Sequence, residues 1–224
     1  MFFDSSLHLE AWSKIYQELY PESTASPDTK LFCGPRNDEI LKNMAPWLTD
    51  AQRELYSEKK EELYRLACVS NPEITHLANG TEAFLRLLRE KGIPFGLASA
   101  SIKANIDFFF DTFGLDRWFR REDVVYDDGT YPNKGAMHLE AARRLGVDFA
   151  DCMVIEDSLS SIRQARQNGA GCIVAVGNTA SASELQGLAH HIMADFTGFD
   201  PAWLDCKNPD TIRVSIHSTK NDSE

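Results

Sequence analysis

The sequence predicts an α/β fold, in which a doubly wound parallel sheet is accompanied by a small helical domain. Residues 9–77 carry apolar side chains at helical spacing and show no strand pattern. From about Gly80 onward, short apolar runs alternate with helical segments instead. Strands that alternate with helices imply right-handed crossover connections, and such connections build a parallel sheet with helices on both faces.

Helices are predicted throughout the N-terminal part of the chain. An apolar stripe over residues 9–20 predicts the first helix, and a polar loop at 22–30 follows it. The next helix is predicted to begin near Asn37. Thr49 and Gln52 have the spacing of a capping box, which predicts the start of a long charged helix.

Strands and helices alternate in the rest of the chain. Short apolar runs predict strands at 93–98, 152–155, 172–176 and 191–193. Helical spacing predicts helices around 84–88, 105–113, 136–145, 159–168 and 184–188. Residues 211–217 alternate in the manner of an edge strand.

The charge of the chain restricts its partners. Its formal net charge is −11 and it shows no basic stripe, which argues against nucleic acid because a phosphate backbone needs clustered Lys and Arg. No apolar run is long enough to cross a bilayer and the N-terminus shows no signal peptide, so we expect no membrane association and a cytoplasmic location. The cysteines are odd in number and form no CxxC pair, which predicts reduced thiols at Cys33, Cys68, Cys152, Cys172 and Cys206.

A candidate anion site follows the predicted strand at 93–98. In open parallel sheets, ligands bind beyond the carboxyl ends of the strands. Ser99 stands at that place, in a Ser-Ala-Ser turn before a helix, where its hydroxyl and the backbone amides could hold an anion. Lys134, in a loop before another predicted helix, adds a positive charge for a phosphate or for neighbouring carboxylates.

Two adjacent carboxylates follow the predicted strand at 152–155. Glu156 and Asp157 would repel each other at this edge of the sheet unless a cation lies beside them. Oxygen ligands of this kind suit Mg²⁺. Together with Ser99 and Lys134, they predict a site for phosphate and magnesium.

Each of these residues also has an ordinary structural interpretation. Ser99 and Asp157 could cap the helices that follow them. Glu156 and Lys134 could be solvated surface charges. Their order along one predicted sheet favours a shared functional site over separate coincidences.

The series of motifs resembles that of the haloacid dehalogenase superfamily. Leu97–Ser101, Lys134 and Val154–Ser158 are similar to its second, third and fourth motifs. The likeness is to the subgroup of phosphatases and β-phosphoglucomutases that carry a helical cap, and it extends to about Leu204.

Further segments carry the same resemblance. The segment Asp4–Trp12 is similar to the entry into the cap, and Gly80–Leu85 is similar to the return to the core. The segments similar to the cap itself are Gly34–Arg36 with Glu39–Leu41, and Lys60 with Tyr64. The resemblance therefore implies a haloacid-dehalogenase-like core at 1–8 and 78–206, a helical cap at 9–77 and a polar C-terminal tail at 207–224.

The resemblance also implies a phosphatase reaction, in which an Asp attacks a phosphate monoester and water then hydrolyses the aspartyl-phosphate. Ser99 would hold a phosphoryl oxygen, Lys134 would balance charge, and the metal ligands for Mg²⁺ would be Glu156 and Asp157. The implied substrate contacts are Ala100, Arg36, Lys60 and His8. The implied substrate is a small phosphorylated metabolite, with a sugar phosphate the first choice. Most members of this kind act as monomers, so a monomer is expected here.

Two departures from the family pattern matter. Lys134 is followed by Gly-Ala-Met, where the family has Pro-x-Pro, and this leaves the substrate open. The family's first strand ends in Asp-x-Asp-Gly, which this sequence lacks, and Asp4 matches an Asp downstream of that motif instead of the nucleophile. That strand would lie between those at 93–98 and 152–155, so we expect each of these to present an unpaired edge.

The missing motif leaves several interpretations open. The first explanation is a shortened gene model, which leaves out the segment with the motif. The second is a true pseudoenzyme, which binds a phosphorylated metabolite without turnover. A phosphomutase, which returns the phosphoryl group to a sugar phosphate, is a further alternative that the cap resemblance allows.

Overall fold

A computed structural model describes residues 1–23, 32, 36–177 and 180–205 of the chain. The chain divides into two compact units, Met1–Leu77 and Ala78–Glu224. Several predicted features lie outside the described residues: Cys33, Gly34, Pro35, Cys206, the edge strand at 211–217 and the tail at 207–224.

The unit Met1–Leu77 is helical. Its helices are α1 (Ser5–Leu19), α2 (Asn37–Met44) and α3 (Asp50–Ser70). They enclose a core of buried apolar side chains formed by Trp12, Ile15, Phe32, Ile40, Leu41, Met44, Ala45 and Leu48. This core forms because each helix carries an apolar stripe, which it can bury only by packing against the neighbouring helices.

The start of α3 confirms the predicted capping box. The Gln52 N–H donates to the Thr49 hydroxyl, and the Thr49 N–H donates to the Gln52 side-chain oxygen over 2.9 Å. The first helix starts earlier than predicted, because the carbonyl oxygen of Asp4 accepts the N–H of His8 over 3.2 Å and so closes the first turn.

The unit Ala78–Glu224 alternates helices with strands. Its helices are α4 (Thr81–Glu90), α5 (Lys103–Phe113), α6 (Lys134–Leu145), α7 (Leu159–Gln167) and α8 (Ala182–Leu185). Its strands are β1 (Ala98–Ser99), β2 (Val125–Tyr126), β3 (Met153–Glu156), β4 (Cys172–Val176) and β5 (His191–Met193). Short 3-10 helices lie at Leu115–Arg117, Arg121–Asp123, Phe149–Asp151, Phe196–Gly198 and Pro201–Asp205.

All strand pairs are parallel, which confirms the predicted fold class. The strands form a two-stranded sheet, β1-β2, and a three-stranded sheet, β3-β4-β5. In the larger sheet Glu156 is in register with Ala175. Because parallel strands run in one direction, the carboxyl ends of β3, β4 and β5 lie at one edge of their sheet.

The two sheets stand in place of the single sheet that was predicted. Within the described residues β1 pairs with β2 alone and β3 pairs with β4 alone, so each has one edge without a paired strand, as expected. The strand predicted at 93–98 is reduced to Ala98–Ser99. Residues 93–97 are exposed or half-exposed, and Pro94 has no N–H to donate to a ladder. The strand β2 was not predicted, because a run of two residues is too short to be recognised.

The helix α6 links the two sheets, because it packs against β1, β2 and α7, and α7 in turn packs against β3 and β4. The central strand of the larger sheet, β4, is buried along its whole length. Around it lies an apolar core made of Ala142, Phe149, Val154, Ile162, Ala165, Ala170, Ile173, Ala175, Leu185 and Ala189. The buried ring of His190, just before β5, accepts the N–H of Ile173 at its Nδ1 over 2.8 Å.

Gly80 is required where the chain enters α4. Its φ is +81°, and a Cβ atom at this position would lie 2.5 Å from the backbone nitrogen of Thr197. Gly92, with a φ of +66°, faces open space instead. Only glycine adopts such backbone angles without strain, and at Gly80 it also allows the two chain segments to approach.

The described cysteines Cys68, Cys152 and Cys172 are thiols that form no disulfide, as predicted. None of the helices in the described part of the chain is both long and apolar enough to span a bilayer.

Candidate phosphate and magnesium site

Ser99 is the last residue of β1, and its hydroxyl oxygen accepts the N–H of Ser101 over 3.2 Å. The helix that follows is capped by Ile102, so the alternative role of Ser99 as its N-cap is wrong. The carbonyl oxygen of Ser101 accepts the N–H of Asp127 over 3.0 Å, which joins the ends of β1 and β2. Ala100 is exposed in this turn. The turn therefore presents a hydroxyl at the carboxyl edge of the smaller sheet.

Lys134 is the first residue of α6, and its predicted place in a loop is wrong. The helix starts there because the Asn133 side-chain oxygen accepts the N–H of Ala136 over 3.0 Å. The Lys134 Nζ lies 3.2 Å from Oε1 of Glu156, and its side chain is 19% exposed. A lysine held in this way is oriented toward the end of β3 and is not a solvated surface charge.

The departure from the family pattern after Lys134 has a physical reason. The N–H of Gly135 donates to Oε1 of Gln164 over 2.7 Å, and proline, which has no N–H, could not make this bond. A Cβ atom at Gly135 would lie 2.8 Å from the side-chain nitrogen of Asn168. Glycine therefore lets the start of α6 approach α7 closely.

Glu156 is the last residue of β3 and is only 7% exposed, so its interpretation as a solvated charge is wrong. Its Oε1 is 3.2 Å from the Lys134 Nζ and 2.8 Å from the Nε2 of His138. Burial alone would raise the pKa of Glu156, but the charge of Lys134 and the hydrogen bond from His138 outweigh it and lower the pKa to about 2. The carboxylate is therefore ionised at neutral pH.

His138 was not among the predicted site residues. It lies on α6 four residues after Lys134, and the ring is 7% exposed. Residues at this spacing share one face of a helix, so the pairing with Lys134 was visible in the sequence. The contact with Glu156 was not, because it joins residues far apart along the chain.

Asp157 follows β3 directly and is half-buried. The next helix is capped by Ser158, so the alternative role of Asp157 as a helix cap is wrong. Burial and the negative charge of Glu156 raise the pKa of Asp157 above its ordinary value. A carboxylate whose charged form is disfavoured in this way is stabilised by a cation placed beside it.

The donors at this edge fit Mg²⁺. Within the described residues there is no group of three or more His, Cys, Asp or Glu side chains that could hold a metal ion. Mg²⁺ does not require one, because it is usually held by one or two carboxylates together with waters and substrate phosphates. Asp157 and the second oxygen of Glu156 supply such a pair. Ser99 bonds to the N–H of Ser101, and no hydrogen bond in the described chain joins it to these two carboxylates.

The other predicted substrate contacts belong to the unit Met1–Leu77. Lys60 is 3% exposed, and its Nζ lies 2.9 Å from Nδ1 of His8 and 2.8 Å from Oε1 of Glu61. Burial lowers the pKa of Lys60, although the charges of Glu61 and Asp4 oppose the shift. Arg36 is exposed at the N-terminus of α2. The structure thus brings His8 and Lys60 together, and Arg36 stands apart from their contact.

Asp4 is engaged in the same cluster. Its carboxylate accepts a hydrogen bond from the Tyr64 hydroxyl and lies 3.4 Å from the Nε2 of His8. Burial would raise the pKa of Asp4, but the bonds to His8 and Tyr64 outweigh it and hold the pKa below its ordinary value. The rings of His8 and Tyr64 stack with their centroids 3.9 Å apart.

Comparison with known proteins identifies related chains. The model of the haloacid dehalogenase-like hydrolases matches residues 6–169. A haloacid dehalogenase-like hydrolase domain-containing protein of Arabidopsis thaliana is 23% identical over 188 residues, which cover 80% of this chain and 55% of that protein. A bifunctional riboflavin kinase/FMN phosphatase of the same plant is 34% identical over 115 residues, covering 50% of this chain and 30% of that protein. The matches thus span about half or less of the length of the curated relatives.

Solved structures resemble nearly the whole chain. A HAD hydrolase of family IA, variant 3, from Entamoeba histolytica superposes with a TM-score of 0.83 at 25% identity, covering 92% of this chain and 94% of that one. A β-phosphoglucomutase from Clostridium difficile superposes with a TM-score of 0.72 at 20% identity, covering 92% of both chains. The second likeness speaks for the fold alone.

Proposed function

The chain belongs to the haloacid dehalogenase-like hydrolases. From this we propose that the protein is a magnesium-dependent phosphatase that hydrolyses a small phosphorylated metabolite through an aspartyl-phosphate. Sugar phosphates are the first candidates for the substrate. The observation that carries the proposal is the ion pair of Lys134 with the buried Glu156, next to Asp157, at the carboxyl end of β3. A positive charge and a pair of carboxylates at one sheet edge are what a phosphate ester and Mg²⁺ require together.

Ser99 and Lys134 are proposed to hold the phosphoryl group. The Ser99 hydroxyl, at the end of β1, donates a hydrogen bond to a phosphoryl oxygen. The Lys134 ammonium group neutralises negative charge on the phosphate, and its position at the start of α6 limits its motion. Phosphoryl transfer depends chiefly on such positioning and charge balance.

Asp157 and Glu156 are proposed to hold Mg²⁺. Asp157 is the stronger candidate for direct ligation, because Lys134 and His138 already engage one oxygen of Glu156. Glu156 contributes the oxygen that Lys134 and His138 do not engage. When bound, the metal supplies positive charge that neutralises the phosphoryl oxygens.

The substrate contacts proposed in the helical unit are His8, Lys60 and Arg36, with Ala100 in the turn after β1. His8 and Lys60 are held together over 2.9 Å, so they would act as one polar anchor. Arg36 would add an exposed positive charge.

The nucleophile is assigned to a segment outside this sequence. No Asp-x-Asp-Gly occurs among the 224 residues. Asp4 is committed to Tyr64 and His8. Glu156 and Asp157 are poor nucleophiles, because the proposed Mg²⁺ engages their negative charges.

The test begins with the DNA upstream of the Met1 codon, translated in frame. The proposal expects an apolar strand that ends in Asp-x-Asp-Gly. The protein that includes it should release inorganic phosphate from a panel of sugar phosphates with Mg²⁺, and EDTA should abolish the release. Lys134→Met and Asp157→Asn should each lower the rate by about 10²-fold or more. Lys103→Met, which removes an exposed lysine on α5, is the matched control and should leave the rate unchanged.

The same assay separates the alternatives. Turnover that requires a sugar bisphosphate would indicate a phosphomutase instead. Binding of phosphate with Mg²⁺ but without turnover would indicate a non-catalytic binding protein. An in-frame stop codon together with a failure to bind phosphate would refute the proposed function.

A further inference from the structure

His138 and Lys134 share one acceptor. Both lie on the same face of α6, and both approach the same oxygen, Oε1 of Glu156. The contact of His138 is the shorter, 2.8 Å against 3.2 Å for Lys134. The His138 side chain is also the more buried, 7% exposed against 19% for Lys134. The histidine is thus the better-fixed partner of the carboxylate.

The direction of the hydrogen bond follows from the second partner of Oε1. The Lys134 ammonium group can only donate, so Oε1 is an acceptor, and the Nε2–H of His138 donates to the same oxygen. The Nδ1 of His138 is buried without a hydrogen-bond partner in the described chain. Burying a ring nitrogen without a hydrogen bond is unfavourable for folding, and the hydrogen bond made by Nε2 offsets this cost.

The Oε1 atom of Glu156 needs a donor of its own, because it is buried and the proposed Mg²⁺ is assigned to the other oxygen. If Lys134 were the sole donor to Oε1, a phosphate that attracts the ammonium group would leave this oxygen unpaired, and a buried acceptor without a donor is unfavourable. Lys134 would then stay on Glu156 and bind phosphate weakly. A second donor removes this conflict.

We propose that His138 is a positioning residue that holds the Glu156 carboxylate and thereby leaves Lys134 available to the phosphoryl group. This inference rests on the proposed function, because it assigns a phosphate ligand to Lys134. Since the charge of Lys134 is not needed to keep Glu156 paired, the ammonium group can turn toward the ligand while the carboxylate remains in place.

A double-mutant cycle on the full-length protein tests the proposal, with inorganic phosphate in the presence of Mg²⁺ as the probe and calorimetry as the measurement. In the wild-type background, Lys134→Met should weaken phosphate binding about tenfold, the loss of one charge-assisted hydrogen bond. His138→Phe keeps a ring but removes the donor, so Lys134 becomes bound to Glu156. In that background, Lys134→Met should change the affinity by less than about twofold.

Two further variants protect the test from a folding defect. His138→Gln keeps a donor of similar reach and should restore the large effect of Lys134→Met. The asparagine of His138→Asn is too short to reach Glu156, so this variant should behave like His138→Phe. If His138→Phe does not fold, the comparison of His138→Gln with His138→Asn provides the same test. His76→Phe changes an exposed histidine and serves as the matched control.

The outcomes separate this inference from the proposed function. An equal effect of Lys134→Met in every background would overturn the role of His138 while leaving the phosphate site intact. A wild-type protein that does not bind phosphate with Mg²⁺ would overturn the proposed function and this inference together. A merely structural role for His138 would lower thermal stability without changing the effect of Lys134→Met.

Discussion

Replacing Glu156 by Gln measures what the buried carboxylate contributes to folding. The side chain lies at the end of β3, is 7% exposed, and accepts from both Lys134 and His138. An amide of nearly the same size fills the space but carries no charge. Lys134 would then lack its counter-ion, so we expect the protein to unfold more easily at neutral pH.

The pKa of Glu156 gives the expected magnitude. Burial alone would raise it, but Lys134 and His138 lower it from the ordinary 4.5 to about 2. At about 1.4 kcal/mol for each pKa unit, the ionised form contributes about 3 kcal/mol to the free energy of unfolding. The folded pKa lies below the unfolded one, so this contribution is complete above about pH 4.5 and is lost as the pH falls toward 2. Breaking a buried ion pair by removing one partner costs a similar amount, about 3–5 kcal/mol.

Urea unfolding of the full-length protein with EDTA provides the assay. At pH 7, Glu156→Gln should lower the free energy of unfolding by about 3 kcal/mol, and the gap to wild type should narrow at pH 3. The matched control is Glu140→Gln on α6, where the carboxylate pairs with the surface arginines Arg143 and Arg144 and should contribute clearly less. A loss below about 1 kcal/mol for Glu156→Gln, or one no larger than that of the control, would refute the reasoning.

Three other predictions concern stability. Burial lowers the pKa of His190, so the unfolded chain takes up a proton that the folded one does not; the urea midpoint should fall as the pH drops below about 6.5, and His190→Gln should flatten that fall. Tyr64→Phe removes the hydroxyl bonded to the carboxylate of Asp4 and should cost about 1–3 kcal/mol in urea unfolding, whereas no loss would show that water replaces the bond. Gly80→Ala places a Cβ atom 2.5 Å from a backbone nitrogen and should lower the melting temperature more than Gly92→Ala, which has a φ of +66° and open space; equal losses would mean that strain alone decides.

The helices and the larger sheet could be predicted because local signals agree with the tertiary environment. The capping box of Thr49 and Gln52 forms as expected, and β4 spans the predicted residues 172–176. An apolar run of five residues is recognisable as a buried strand because the side chains on both faces of the sheet are covered. In such segments local preference and tertiary packing lead to the same structure.

The smaller sheet could not be predicted in this way. Its strands are two residues each and exist through their mutual pairing, in which Ala98 is opposite Val125. No local pattern distinguishes β2 from a loop. The length of β1 depends on which neighbour is present, and that is information about the whole sheet.

The candidate site was predictable as a set of residues but not as a set of contacts. Ser99, Glu156 and Asp157 were predicted from their places after strands, Lys134 from its place before a helix, and all four from a family resemblance. The burial of Glu156 and the part played by His138 depend on how α6 lies against the end of β3, which spacing along the chain does not reveal.

The shared carboxylate also limits how the length of the chain can change during evolution. Lys134 and His138 reach one oxygen because four residues bring them to the same face of α6. Inserting or deleting one residue between them would rotate one side chain by about 100° around the helix axis. The loop before Asn133 can change its length without this penalty. In an alignment of relatives, a gap inside this one turn would therefore signal loss of the pairing even where a lysine and a histidine are both retained.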